Sequence, residues 1–177
     1  MQQAVQLMPT RRSSGFTILE IMIVLTIAGI LAAMAMPSFD NQIRLQRLKG
    51  ASTELYLSLM FARSEAIKRN SKIDVRRSAA GWMEGWYVRV QQTGEDLRVN
   101  EKLSNITLKC NINNDPAADT CPLRVTFEGS GRPTSIIEFR LYDNDKTEIP
   151  ARCVTMSMSG RPAVEIDNDD NPANGCE

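Results

Sequence analysis

An uninterrupted apolar run near the amino terminus is the feature that most limits how this chain can fold. Residues 16–36 read FTILEIMIVLTIAGILAAMAM, and Glu20 is the run's only ionisable residue. At about 1.5 Å per residue, a helix of this length matches the roughly 30 Å hydrocarbon core of a bilayer. The sequence therefore predicts a transmembrane helix over residues 16–36.

The segment before this run differs from an ordinary secretory signal. Residues 1–15 form a short polar leader that ends in Arg11, Arg12, Ser13, Ser14 and Gly15. An ordinary signal has a shorter apolar core followed by small residues at its cleavage site, whereas here the small residues come first. Cleavage after the apolar run is therefore not expected.

The carboxylate of Glu20 needs an explanation, because an acidic side chain at the centre of a spanning helix costs about 2.5 to 3.5 kcal/mol. One explanation is that Glu20 lies close enough to the membrane surface to reach water. The other is that a cationic partner offsets the cost. The residues alone leave both explanations open.

Composition excludes several classes of function. Basic and acidic side chains balance at 21 each, and the chain has no histidine. Histidine-based catalytic triads and the commonest catalytic zinc sites are therefore excluded. No phosphate-binding loop, nucleotide fingerprint or pair of catalytic carboxylates is found. We expect a protein that is not an enzyme and has no cofactor and no bound metal.

The four cysteines, Cys110, Cys121, Cys153 and Cys176, contain no C-x-x-C pair and all lie in the carboxyl-terminal half. Their even number favours disulfides and a compartment outside the cytosol. Three pairings are possible, and we favour Cys110–Cys121 with Cys153–Cys176 because each closes a local loop. Free buried thiols are the alternative.

Helical periodicity continues beyond the apolar run to about Arg69. Pro37 lacks an amide proton and is expected to kink this helix. An apolar stripe with steps of three or four residues then predicts one buried face: Leu48, Ala51, Leu55, Leu59, Ala62 and Ala66. We expect residues 37–70 to form the periplasmic half of one long helix.

After Asn70 the apolar period changes to two, which is typical of strands. Six strands are predicted around these residues: Ile73 and Val75; Trp86, Val88 and Val90; Ile106, Leu108 and Cys110; Leu123, Val125 and Phe127; Ile137, Phe139 and Leu141; Val154, Met156 and Met158. The predicted fold is therefore α+β, with a long amino-terminal helix packed against an antiparallel β-sheet head over residues 71–177.

The sequence Gly15-Phe16-Thr17-Ile18-Leu19-Glu20, followed by the apolar run, resembles the class III signal of type IV prepilins. The resemblance implies that a prepilin peptidase cuts between Gly15 and Phe16 and methylates the new amino terminus at Phe16. It also implies that Glu20 pairs with the terminal ammonium of a neighbouring subunit. A buried pair of this kind would set subunit register more than stability.

Residues 61–70, with Gly85-Trp86 downstream, resemble the H-type branch of pseudopilins and minor pilins. That branch implies a β-sandwich-like head and a low-abundance subunit near the fibre tip that initiates or caps assembly. The implied location is a single-pass anchor in the bacterial inner membrane, with the head in the periplasm. Implied partners are other pilins or pseudopilins, the peptidase, the assembly platform and membrane lipid.

Two fibres use such subunits, the type IV pilus and the type II secretion pseudopilus. The predicted two-disulfide head and the long carboxyl-terminal extension resemble pilus-associated minor pilins more closely, so we favour a pilus subunit for twitching, adhesion or DNA uptake. A secretion pseudopilin is the alternative.

Direct DNA binding is a further alternative, because relatives in this branch act as DNA receptors in transformation. Nine basic residues lie between Arg44 and Arg77 against three acidic ones, and such a stripe could neutralise phosphates. Candidate contacts are Arg161, Arg63, Lys68 and Arg69. However, the relatives carry Gly-Arg-x-Arg, and residues 160–163 keep only the first arginine.

Two other patterns remain to be explained. The acidic clusters at residues 143–145 and 167–171 are rich in the oxygen ligands that calcium prefers, although neither has EF-hand spacing and polar turns explain both. The tripeptide Gly-Arg-Pro occurs at residues 131–133 and again at residues 160–162, which suggests a weak repeat of strand-turn-strand units.

Overall fold

The computed structural model describes residues 15–112, 121–145 and 148–167, apart from the side chains of residues 34–38 and 112. Several predicted features therefore lie outside what the structure describes: the leader over residues 1–14, the side chains at 34–36 and at Pro37, Cys176, and residues 168–171. The chain divides into two compact units, Met1–Asp40 and Asn41–Glu177, and each is described by itself.

One helix, α1, covers Ile18–Arg69. In the first unit it begins with a side-chain cap, because the Glu20 backbone N–H donates a hydrogen bond to Thr17 Oγ1 at 3.2 Å. Thr17 and Glu20 stand three residues apart, which is the spacing of a capping box. Across the described residues, no helix combines the length and hydropathy that crossing a membrane requires.

In the second unit, one face of α1 packs against the core. The predicted stripe is confirmed: Leu48, Ala51, Leu55, Leu59, Ala62 and Ala66 are all buried. Steps of three and four residues keep these side chains on one side of a 3.6-residue helix. The last turn carries Lys68 and Arg69, whose positive charges suit the negative end of the helix dipole.

Among the described residues after the helix there are eight strands, and they form two four-stranded sheets. They are β1 (Ile73–Ser78), β2 (Gly81–Val90), β3 (Asp96–Asn100), β4 (Ile106–Ile112), β5 (Arg124–Phe127), β6 (Ile137–Asp143), β7 (Arg152–Met156) and β8 (Pro162–Ile166). The strand order is β3-β2-β1-β5 in one sheet and β4-β6-β7-β8 in the other. Every pairing is antiparallel, as predicted.

The six predicted strands are present, but two of their end residues are not in strands. Leu123 precedes β5 and Met158 follows β7, and both side chains are exposed. Strands β3 and β8 were not predicted. They lack a simple apolar alternation, since their burial patterns are mostly exposed or intermediate.

One continuous core joins the helix to both sheets. Its largest fully buried side chains are Trp86, Phe127 and Phe139. Trp82 lies edge-on to Phe139, with 5.0 Å between ring centroids, an arrangement that aromatic pairs favour. These contacts confirm the predicted helix-on-sheet architecture of the head.

The two Gly-Arg-Pro tripeptides form equivalent hairpin turns. In residues 128–133, the Gly131 N–H donates to the Glu128 carbonyl at 2.8 Å, and in residues 157–162 the Gly160 N–H donates to the Ser157 carbonyl at 2.9 Å. Both glycines have positive φ, 76° and 75°. Glycine adopts this conformation at little cost because it has no Cβ.

These two turns also touch each other. A Cβ added to Gly160 would lie 2.1 Å from the Gly131 carbonyl oxygen, and Arg63 Nε donates to the same oxygen at 3.2 Å. The repeat in the sequence therefore corresponds to a stacked pair of turns held against α1.

Gly160→Ala is expected to lower the free energy of unfolding by about 3 kcal/mol, because strain at positive φ adds to a backbone clash. Gly94→Ala is the matched control. Gly94 also has a positive φ, 73°, but no atom lies within 4 Å of its added Cβ, so its cost should be only about 1 kcal/mol. Urea denaturation of both variants measures the difference. Equal destabilisation would show that contact between the turns contributes nothing.

Candidate assembly site

The residues predicted for processing lie ahead of the helix. Gly15, Phe16 and Thr17 are not helical, and all three are exposed. Phe16 is 79% exposed, and no atom lies within 4 Å of a Cβ added to Gly15. The Gly15–Phe16 peptide bond is therefore accessible and outside regular structure, which is the condition that a peptidase needs.

A shallow groove lies along one side of the first helical turns. It is lined by Phe16, Glu20, Ile21, Val24 and Leu25. The groove thus combines one carboxylate with apolar side chains. Glu20 also stands in the first turn of α1, where the helix dipole favours negative charge.

Apolar side chains on this part of α1 are exposed all around the helix. Exposed large apolar side chains occupy eleven of the sixteen positions from 16 to 31: Phe16, Ile18, Leu19, Ile21, Met22, Ile23, Val24, Leu25, Ile27, Ile30 and Leu31. A helix that is apolar on all sides gains stability by burial in lipid or against other chains. The first unit therefore presents a surface for burial.

The basic residues proposed for DNA contact are mostly engaged within the head. Arg69 Nε lies 2.6 Å and Lys68 Nζ 3.2 Å from the carboxylate of Glu65. Arg63 is bonded to the Gly131 carbonyl, next to the turn that carries Arg161. Arg161 itself is exposed. The structure therefore brings Arg63 and Arg161 close together but uses Lys68 and Arg69 to neutralise Glu65.

The Arg69 hydrogen bond, followed by that of Lys68, lowers the pKa of Glu65 below the 4.5 of an unperturbed glutamate. A lower pKa in the folded state means that the pair stabilises the fold above pH 4.5 and ceases to do so as the pH falls through the folded value.

Arg69→Ala should therefore raise the pKa of the Glu65 carboxyl. The difference in free energy of unfolding between this variant and wild type should be smaller at acidic pH than at neutral pH. A carboxyl-detected NMR titration with denaturation at neutral and acidic pH measures both effects. Arg161→Ala is the control, because Arg161 is exposed and should leave Glu65 unchanged. A Glu65 pKa unaffected by loss of Arg69 would contradict the assignment.

The first predicted disulfide is present. Cys110 on β4 is bonded to Cys121, with 4.8 Å between the Cα atoms. Cys153 on β7 is also disulfide-bonded, and its predicted partner Cys176 lies outside the described residues. The Cys110–Cys121 bond ties the end of β4 to the segment before β5.

An arginine supplies positive charge to the first acidic cluster. Arg44 Nη1 lies 2.9 Å from Asp143 Oδ1 and 3.0 Å from Asp145 Oδ2. The side chain of Asp143 is only 5% exposed. Within the described residues, no group of three acidic or cysteine side chains could hold a metal ion. These carboxylates join the helix to the end of β6.

A buried polar network around Ser58 was not identified from the sequence. Trp86 Nε1 donates to Ser58 Oγ at 3.0 Å, and this oxygen lies 3.1 Å from Asn100 Oδ1. Asn100 Nδ2 in turn donates to Glu54 Oε1 at 2.5 Å. The network joins α1, β2 and β3, so it fixes the helix on its sheet. The one signal in the sequence was Ser58, a small polar residue next to Leu59 of the apolar stripe.

Two family profiles match this chain. Residues 10–36 match the prokaryotic N-terminal methylation motif, which includes the exposed Gly15 and Phe16. Residues 51–160, more than half of the chain, match the family described as Type II transport protein GspH. The chain belongs to the GspH family. GspH-family proteins are minor pilins or pseudopilins of the type IV pilin-like class, structural subunits rather than enzymes, and they assemble with other pilins or pseudopilins.

Solved structures show the same pilin fold. The type IV minor pilin FimU of Pseudomonas aeruginosa is 21% identical in sequence to this chain and superposes with a TM-score of 0.56. The alignment covers 75% of this chain and 96% of FimU. The minor pseudopilin EpsH from the Type 2 Secretion System of Vibrio cholerae is 14% identical, covers 68% and 95%, and has a TM-score of 0.51. The likeness includes a pilus protein and a secretion protein, so it assigns the fold to this GspH-family chain and leaves the fibre to be tested.

Proposed function

We propose that this chain is a minor pilin of a type IV pilus that primes or caps fibre assembly. One observation carries the proposal: a capped helix start, immediately after an accessible Gly15–Phe16 bond, presents Glu20 among uniformly exposed apolar side chains. Such a surface suits storage in a bilayer and later burial among other helices. The anchor would lie in the bacterial inner membrane, with the head in the periplasm.

Processing completes the proposed route. A prepilin peptidase would cut after Gly15 and methylate Phe16, and an assembly platform would then draw the helix from the membrane. The new ammonium at Phe16 would pair with the Glu20 carboxylate of a neighbouring subunit. Because the groove beside Glu20 is otherwise apolar, this pair would report correct register rather than supply most of the attraction.

The choice of a pilus over a secretion fibre is supported by the disulfide bonds of the head, Cys110–Cys121 and that of Cys153. Deletion of the gene in its host tests this choice. We expect surface pili and twitching to be lost, secretion through the type II system to be unchanged, and a plasmid copy to restore the pili. Loss of secretion with normal twitching would assign the chain to the pseudopilus instead.

DNA binding is the second candidate function, and the paired turns favour it. Arg132 and Arg161 follow the two contacting glycines and both are exposed. The turn at Gly131 thus places Arg132 beside the turn that carries Arg161, although residues 160–163 lack the second arginine of Gly-Arg-x-Arg. A salt-dependent gel shift with the head, from about residue 42 onward, tests this function. The double variant Arg132→Gln and Arg161→Gln should lose the shift, and no shift of wild type at low salt would exclude it.

A further inference from the structure

The outward face of α1 in the head carries a regular pattern that the core does not use. Eight of its exposed positions follow one another in steps of three and four residues: Ile43, Gln46, Gly50, Thr53, Leu57, Met60, Ser64 and Ile67. We call this set the outer seam. A stripe with this 3.5-residue period is the pattern by which one helix packs against another.

Exposed apolar side chains make the outer seam suitable for contact. Leu57 is 45% exposed, Met60 38% and Ile67 52%, and Ile43 at the other end is 47% exposed. Between them Gly50 has no atom within 4 Å of an added Cβ, so a neighbouring backbone can approach closely there. The seam runs about 36 Å along the helix.

The flanks of the outer seam are basic. In heptad terms the positions beside the seam hold Arg47, Lys49, Arg63 and Lys68 against one acid, Glu54. Within the head, Lys68 is paired with Glu65, Arg63 is bonded to the Gly131 carbonyl and Glu54 is bonded to Asn100. Arg47 and Lys49 therefore supply most of the basic character of the flanks. Charges at these flanking positions decide which helices pair in a coiled coil.

A groove beside the outer seam adds further positive charge. It runs between the helix and β3, and its lining holds two cations, Lys49 and Arg98, and one acid, Glu54, together with Gln46, Gly50, Thr53 and Leu57. None of the ion pairs among the described residues includes Lys49 or Arg98. Both cations therefore face a groove whose floor is partly apolar, and an acidic side chain of a bound helix would complement them.

We propose that the outer seam binds an amphipathic helix with acidic flanks from a different pilin-like subunit, and that its basic flanks disfavour pairing with a second copy of this chain. The proposal rests on the assembly function and names the partner chemistry for the head half of the helix. Two copies would bring flanks of mostly the same sign together, and like charges beside a seam are unfavourable.

Three synthetic helical peptides test this proposal on the full-length chain in detergent. The first two share apolar seam positions and carry either Glu or Lys at every flanking position, and the third is residues 43–67 of this chain. Fluorescence anisotropy at low salt should show the Glu-flanked peptide binding at least about ten-fold more tightly than the other two. Salt should reduce this difference.

Variants distinguish the seam from any other surface. Leu57→Asp should abolish binding of the Glu-flanked peptide, whereas Leu123→Asp should not, because Leu123 is equally exposed at 45% but lies before β5. The pair Arg47→Glu and Lys49→Glu should shift preference toward the Lys-flanked peptide. Circular dichroism establishes that each variant is folded.

Three results would overturn the proposal: no binding of the Glu-flanked peptide, equal binding of all three peptides, or equal effects of Leu57→Asp and Leu123→Asp. The peptides do not depend on leader cleavage or on Glu20. A negative result with the peptides would therefore not contradict the assembly function of the amino terminus. Likewise, a negative result for leader cleavage or for Glu20 would not contradict peptide binding at the outer seam.

Discussion

Glu20→Ala should reduce incorporation of this subunit into fibres by about 100-fold or more. The proposed partner of Glu20 is the ammonium at Phe16 of a neighbouring subunit, and removing one member of a buried ion pair costs about 3 to 5 kcal/mol because the other charge is left unpaired. Immunoblots of sheared fibres against the membrane fraction measure incorporation. Wild-type incorporation of the alanine variant would remove the register role.

Two further variants separate the ion pair from the helix cap. Glu20→Gln keeps a residue suited to a capping box but loses the charge, so it should fail like alanine if pairing matters. Thr17→Ala removes the oxygen that accepts the Glu20 N–H and should cost only about 1 kcal/mol of helix stability. If Glu20→Gln assembled normally while Thr17→Ala did not, capping would be the function of this site.

Trp86→Ala should have the largest effect on folding, lowering the free energy of unfolding by about 4 kcal/mol or more. The Trp86 side chain is 1% exposed, and its indole N–H bonds the buried Ser58 hydroxyl. Truncation leaves a large cavity and deprives the network on Asn100 of a donor. Because domains have only about 5 to 15 kcal/mol of stability, the variant should accumulate poorly.

Trp86→Phe is the control for this prediction, since it keeps much of the ring and loses only the donor. It should cost about 1 to 3 kcal/mol. Urea denaturation compares both variants with wild type. Similar losses for phenylalanine and alanine would show that the hydrogen bond, rather than the packed ring, holds the helix on the sheet.

The strands found from the sequence were those with one buried face. In β1 and β6, alternate apolar residues pack on the core, so a period of two is visible in the chain. The strands β3 and β8 each bury a single residue, Asn100 and Pro162, and their other positions are half-buried or exposed. Apolar and polar residues therefore do not alternate in these two strands. They are recognised as strands by their backbone pairing with β2 and β7.

In the candidate site, too, features set by local sequence could be predicted, and contacts between distant residues could not. Gly15, Phe16 and Glu20 could be found from the sequence because one local motif contains all three. The contact between Gly131 and Gly160 joins turns 29 residues apart in the sequence, and only the packing against Arg63 brings them together. Likewise, nothing near Asp143 in the chain indicates that Arg44 neutralises it.

We infer that this chain enters a fibre as a processed subunit whose first residue is Phe16. Intact-mass and peptide mass spectrometry of the protein from membranes of its native host tests it directly. We expect a chain that begins with N-methylated Phe16 and lacks residues 1–15. A protein that still carries Met1 through Gly15 in that host would contradict it.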